Sequence, residues 1–350
     1  MTSSKVDGGG LPLANEVFET EQSNEVLAGG GELGARMRTV DWSKTPLGPL
    51  ATWPQSLRSA LSICLGSGFP IGIYWGADLV LLYNDAWSPI LGEKHPWALG
   101  RAGRDVWPEI WTTIGPMFKQ VLTTGKATYS EDSLLPMRRH GYTEECYFNF
   151  TFSPIRGESG RVEGIFNAVI ETTYRVIAER RARLLRELGT GVAAASSTAG
   201  VALLAAERFG AAPDDVPFCL IYIADQRTQE AHLAASTGIS CDSAVAPGII
   251  ALDGAAEGGP WPLVSVQRSM KVAVVKELDE RFGMAIPRGK WPEAVSSALV
   301  VPMALPSQRQ THRLSRAWRE SSASDRRALP RFCCEGWSAA RGTSCECTTK

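Results

Sequence analysis

The cleanest alternation along the chain is Cys146, Phe148, Phe150 and Phe152 interleaved with Tyr147, Asn149, Thr151 and Ser153. Successive strand side chains point to opposite faces, so this period of two predicts a half-buried strand over 145–155. Strand-like runs flank it at 127–135 and 162–170. Upstream, 69–75 and 79–84 are β-rich runs joined by Gly76-Ala77-Asp78, which reads as a hairpin. Before the hairpin the period changes. Leu57, Ala60, Leu61, Cys64 and Leu65 fall at i, i+3, i+4, i+7 and i+8, predicting an amphipathic helix over 54–65 with Pro54 near its first turn. A shorter helix is expected over 32–39. Between 85 and 124, Pro89, Pro96, Pro108 and Pro116 interrupt the pattern, and only short helices are expected. A hairpin, short helices and three antiparallel strands predict an α+β domain, a five-stranded antiparallel sheet with helices grouped on one face.

A charged helical stretch follows at 174–190. Tyr174, Ile177, Arg181, Leu184 and Leu188 recur at 3,4,3,4 spacing, a seam that can pair with its copy in a homodimer. A second α+β region is expected over 191–306. It has an Ala-rich helix at 191–209 and strands at 217–224, 230–236, near 263–266 and 272–275, and at 294–305, with a helical or loop segment at 278–288. Composition then changes abruptly. Residues 307–350 carry eight Arg and one Lys against four acids, with no Ile or Val, and are expected to build no sheet. Residues 1–30 read as a disordered leader, and 31–66 as a helical cap on the domain at 67–173. Gly29, Gly31 and Gly34 spell G-x-G-x-x-G, but no predicted strand precedes them, so a dinucleotide site is not favoured.

Composition narrows the classes of function. With 350 residues, 44% hydrophobic and 21% charged, the chain has room for two globular domains. A net charge of −1 argues against nucleic acid. The longest nearly apolar stretch, 294–305, is well short of the roughly 20 residues of a membrane span. The N-terminus has no apolar segment after Lys5, so it is no secretory signal, and the expected compartment is the cytoplasm. Cys64, Cys146, Cys219 and Cys241 lie singly in apolar surroundings and are read as buried thiols rather than disulfide partners.

The stretches DWSKTPLGPLATWPQSLRSAL, FPIGIYWGADLVLLYNDAW, HPWALGRAGRDVWPEIW, GYTEECYFNFTFSPI and GIFNAVIETT, spread over 37–173, resemble a PAS domain of the kind at the front of bacterial hybrid sensor histidine kinases. Residues 191–305 resemble a GAF domain. Glu171-Thr172-Thr173 sits where such PAS domains place a D-x-T that couples the last strand to the output helix, with Glu in place of Asp. The resemblance implies a sensory input module of a two-component system relaying through a connector helix, with a kinase or response regulator as partner. Full-length relatives would be protein-histidine kinases. Here His95, His140, His232 and His312 lack the H-E/D-x-x-x-P context, and no ATP-binding motif is present, so no enzymatic activity and no catalytic residues are expected. A complete GAF domain would add a strand and a closing helix after Leu305. Their place is taken by the Arg/Ser/Cys-rich tail, so the second domain reads as truncated and the tail as disordered or the product of a frameshift near 306.

Seven of the eleven Trp lie between Trp42 and Trp111. Trp107 and Trp111, sharing one face if the Pro108 segment is helical, together with Phe148, Phe150 and Phe152, are candidate walls of a ligand pocket. A filled core without ligand is the rival reading. The candidate relay is Glu171, Thr173, Tyr174, Ile177, Leu184 and Leu188. A flavin-reactive N-C-R-F-L-Q motif is missing, His95 and His140 read as solvated loop residues rather than haem ligands, and no metal or other cofactor is expected. Glu131-Asp132 and Glu144-Glu145 read as solvated strand ends, since neighbours on a strand cannot converge on one substrate. A ligand-free dimerisation module remains a further alternative.

Overall fold

The computed structural model describes residues 27, 29–254, 259–287, 289, 291–304 and 311–318. The expected disordered leader therefore lies almost wholly outside the described residues, as does the tail beyond 318. The chain divides into two compact units, Met1–Val176 and Ile177–Lys350.

In the first unit, α1 (Gly31–Thr39) and α2 (Gln55–Gly66) precede a hairpin of β1 (Ile71–Trp75) and β2 (Val80–Tyr83). Leu57, Ala60, Leu61, Cys64 and Leu65 are buried, as their spacing predicts, and join Ile71, Ile73 and Trp75 in one core. The start of α1 is capped from a distance. Asp85 accepts hydrogen bonds from the Glu32 and Leu33 amides at 2.9 and 2.7 Å, satisfying two otherwise orphaned donors with a negative charge. Short helices α3 (Ser88–Leu91) and α4 (Gly103–Val106) follow.

Next comes α5 (Trp111–Thr124), whose fourteen residues correct the expectation of short helices only. Pro116 lies inside it, at a cost of about 3 kcal/mol relative to Ala. Burial of Ile114, Phe118 and Val121 offsets that, at roughly 1.5–3 kcal/mol per side chain. Residues 107–110 are not helical, so Trp107 and Trp111 do not share a helix face.

The sheet is completed by β3 (Thr128–Leu134), β4 (Tyr147–Arg156) and β5 (Val162–Glu171), in the order β2-β1-β5-β4-β3 with every pair antiparallel. This is the predicted α+β fold with a five-stranded sheet. Phe148, Phe150 and Phe152 are buried on its inner face. The β3–β4 register slips between Ser130 and Ser133, so Glu131 and Asp132 form a bulge rather than a strand end.

The connector helix α6 (Thr173–Ala194) outruns the predicted 174–190 and takes in Gly191, where the sequence pattern starts the next helix. That helix, α7 (Thr198–Gly210), begins where the Ser197 side chain accepts from the Gly200 amide. The second unit then runs β6 (Cys219–Asp225), β7 (Glu230–Thr237), β8 (Ile249–Ala251), α8 (Leu263–Ser269), β9 (Ala273–Val275), α9 (Leu278–Phe282), β10 (Ser297–Ala304) and β11 (Thr311–Trp318).

Three expectations change in this unit. Residues 263–266, read as a strand, begin α8, a helical turn that starts after Pro262 and buries Leu263, Val264 and Val266. Cys241 is exposed, whereas Cys64, Cys146 and Cys219 are buried. Residues 307–350, expected to build no sheet, supply β11, which lies between β6 and β10 in the order β8-β7-β6-β11-β10-β9. A ladder needs backbone donors and acceptors rather than a particular composition, and without β11 two edges in mid-sheet would lack partners.

Candidate functional site

Between the sheet and its helices in the first unit lies a hollow of about 40 Å³. Tyr74, Phe148, Phe150, Phe152, Asn167 and Val169 line it from the sheet, and Trp87, Ile90, Trp107, Ile110 and Ile114 from the other side. That volume holds roughly two or three water-sized groups. Gly72 makes room for the Trp87 ring, since a Cβ there would stand 3.2 Å from it. Four of the five sequence-predicted wall residues meet here. Trp111 does not. Its indole lies along Gly115 in a shallow outer groove with Leu79 and Lys119.

The hollow is apolar but not wholly so. Trp107 Nε1 donates to the Tyr74 hydroxyl at 2.9 Å, and burial pushes the Tyr74 phenol upward, keeping it neutral. Asn167 is 4% exposed, and its amide donates to the Thr151 carbonyl at 3.2 Å. Trp87 Nε1 is buried and has no hydrogen-bond partner among the described residues. A buried donor left in that state costs about 1–3 kcal/mol.

The second feature is the junction of β5 with α6. Arg139, 9% exposed, donates to both oxygens of Glu171 at 2.8 and 2.9 Å, and to Glu144 at 3.1 Å. His140 Nδ1 pairs with Glu144 at 2.6 Å, and the Thr173 hydroxyl donates to Glu171 at 2.8 Å. The Tyr147 amide in turn donates to the Thr173 hydroxyl oxygen at 2.9 Å, tying the start of α6 to β4. Burial raises the Glu171 carboxyl, but the hydrogen bonds and charge of Arg139 outweigh it and hold the group below its ordinary value. Burial pushes the neighbouring Cys146 thiol up to about 12, which makes it inert.

On β3, the bulge residue Asp132 accepts from the Thr172 hydroxyl at 2.8 Å and pairs with Arg175 in the first turn of α6. Those bonds lower its carboxyl.

Of the remaining candidate relay residues, Tyr174 is 89% exposed and Ile177 is half-buried. Leu184 and Leu188 pack against a cluster formed by Ala202, Ala205, Ala206, Phe209 and Cys219 of their own unit. Arg181, the charge in the predicted seam, binds Asp215 at 3.0 Å, as does Arg180 at 2.7 Å. The C-terminal half of the seam therefore already has neighbours within the unit.

Sequence reasoning missed Trp87, Asn167 and Arg139, of which only Arg139 carried a signal, as a charged residue beside a strand-like run. Asp132 and Glu144, read as solvated strand ends, are instead paired, Asp132 with Thr172 and Arg175 and Glu144 with Arg139 and His140. His95 and His140, read as solvated, bond to Tyr83 at 2.9 Å and to Glu144 respectively. Among the described residues no group of three or more His, Cys, Asp or Glu is placed to hold a metal ion, and no helix is long and apolar enough to cross a membrane.

A family model described as PAS fold matches residues 70–177. A search of the curated proteins gives no match. Among solved structures, the chain is similar to the GAF domain from an Acinetobacter phosphoenolpyruvate-protein phosphotransferase, at 19% identity, 39% of this chain, 76% of that chain and a TM-score of 0.29. It is similar to a sensory box sensor histidine kinase from Vibrio cholerae, at 19% identity, 33% of this chain, 87% of that chain and a TM-score of 0.24. For a Rhodobacter sphaeroides LOV protein the values are 14%, 39%, 80% and 0.29. Scores this low carry no argument about function. The family match spans all five strands of the first sheet and runs into the start of α6.

Proposed function

We propose that the chain is a sensory input module of a signalling protein, in which a PAS domain and a GAF-type domain are joined by the α6 connector. The observation that carries the ligand-sensing part is the unpartnered Trp87 Nε1 at a hollow in the same sheet whose last strand ends at Glu171. A small, largely apolar molecule with one hydrogen-bond acceptor fits that hollow and satisfies the indole. Taking it up shifts β5 relative to its neighbours and loads the Glu171–Arg139 pair, so the signal passes to the first turn of α6 as a change in population between two states. A homodimer through α6, and a kinase or response regulator as downstream partner, complete the proposal. The module itself performs no catalysis; a histidine kinase reading would need phosphate incorporation into the chain, which incubation with labelled ATP measures.

A ligand-free dimerising module is the second reading, favoured by the small volume of the hollow. One experiment separates the two. Native mass spectrometry of the freshly purified chain should find a bound small molecule, and its removal should change amide exchange at 172–177. Finding no bound species, or identical exchange with and without it, defeats the sensing proposal.

A further inference from the structure

The bulge in β3 has a feature that strand geometry does not require. Asp132 adopts a φ of 46°, the left-handed region that favours glycine and is tolerated by few other residues. Glycine would hold this backbone with less strain, so a reason for the carboxylate must lie in what it touches. Its amide donates to Asn149 Oδ1 on β4 at 2.7 Å, which fixes the bulge. One carboxylate oxygen accepts from both Thr172, the residue just before α6, and Arg175 in its first turn. The charge also lies by the N-terminal end of a helix, where a negative group is favourable. β3 is an edge strand, at the far end of the order β2-β1-β5-β4-β3.

We infer that Asp132 is a charge-dependent catch holding the first turn of α6 on the edge strand β3, separate from the Glu171–Arg139 pair and independent of any occupant of the hollow. Pairing or reshaping at the β3 edge moves the bulge, and moving the bulge frees the helix start. The PAS sheet thus has a second route to its output helix, through its edge rather than its interior. This goes beyond the ligand-sensing reading and stands or falls without it.

Residue-resolved amide exchange on the full chain tests it, read at Val176, whose amide donates to the Thr172 carbonyl at 3.0 Å. Asp132→Gly removes the carboxylate while suiting the backbone, so exchange at Val176 should rise about tenfold, the equivalent of one ion pair and one hydrogen bond. The melting temperature should not fall, because the strain is relieved. Arg175→Gln should raise exchange at Val176 by about threefold. Adding it to Asp132→Gly should give little more than Asp132→Gly alone, the non-additivity of a coupled pair. Unchanged exchange at Val176 in either single variant, additive effects, or faster exchange across the whole sheet in Asp132→Gly would each overturn the catch.

Discussion

Replacing Glu171 by Gln tests the proposed relay at its centre. The substitution keeps shape and one acceptor oxygen but removes the charge that faces Arg139. Breaking a fully buried ion pair by removing one partner costs about 3–5 kcal/mol, whereas an exposed pair is worth about 0–1 kcal/mol. This pair lies between those limits. The Arg139 side chain is 9% exposed and that of Glu171 is 30% exposed, and Arg139 keeps Glu144 as a partner. A loss of about 2 kcal/mol is therefore expected, or roughly 4–8 °C in the melting temperature of a unit of this size. The pH dependence carries the same information. The folded-state carboxyl lies below its ordinary value, so the stabilisation is fully present above the unfolded value and is lost as pH falls through the folded one. Melting followed by circular dichroism from pH 7 into the acid range should show wild type losing its advantage over the Gln variant below the ordinary carboxylate range. Amide exchange at 172–177 should rise in the variant at neutral pH while the inner strands stay protected. Equal melting temperatures at pH 7, or a constant gap between the two proteins down to low pH, would refute the assignment of the Glu171–Arg139 pair as a stabilising link.

Other outcomes follow from single positions. Pro116→Ala should raise the melting temperature, because α5 gains a backbone hydrogen bond and the net gain after the unfolded-state entropy change is about 1–2 kcal/mol; a fall on calorimetry would mean that the proline ring packs where Ala cannot. Gly72→Ala places a Cβ 3.2 Å from the Trp87 ring, which must move into the hollow, at about 1–3 kcal/mol. Wild-type melting with this variant would show that the ring has slack. Residue-resolved alkylation at pH 8 should modify Cys241 and leave Cys64 and Cys146, whose thiols burial pushes up to about 12, untouched in the native protein. Modification of Cys64 or Cys146 at the same rate as Cys241 would contradict the packing of both.

How much of this was legible in the sequence depended on whether burial had a period. Leu57 to Leu65 and Cys146 to Phe152 repeat at 3.6 and 2.0, and both elements lie within a residue or two of where the pattern puts them. Pro116 misled because local propensity was weighed without the apolar face of α5, which outweighs it. β11 misled for the opposite reason, since its ladder depends on the open backbone groups of β6 and β10, about ninety residues and less than ten residues away in the chain.

The polar half of the site had no period to read. Asp132, Arg139, Glu144 and Glu171 come from a bulge, a loop and a strand end; Arg139 meets Glu144 and Glu171, and Asp132 meets Thr172 and Arg175, only once β3, β4 and β5 are in register. A one-residue slip in β3 reverses which side of the sheet each side chain faces, and the bulge introduces such a slip between Ser130 and Ser133. Adjacent acids on a regular strand would diverge; the bulge is what turns Asp132 towards Arg175. The trait that made Glu131-Asp132 look inert in the sequence, two neighbouring charges on a strand, is the trait the fold alters. The aromatic wall was visible because packing repeats, while the links that join it to α6 were hidden because electrostatic contacts are set by tertiary register. A search for charged contacts around the start of α6 in this chain is therefore better begun at the register shift beside the last strands than at hydrophobic stripes.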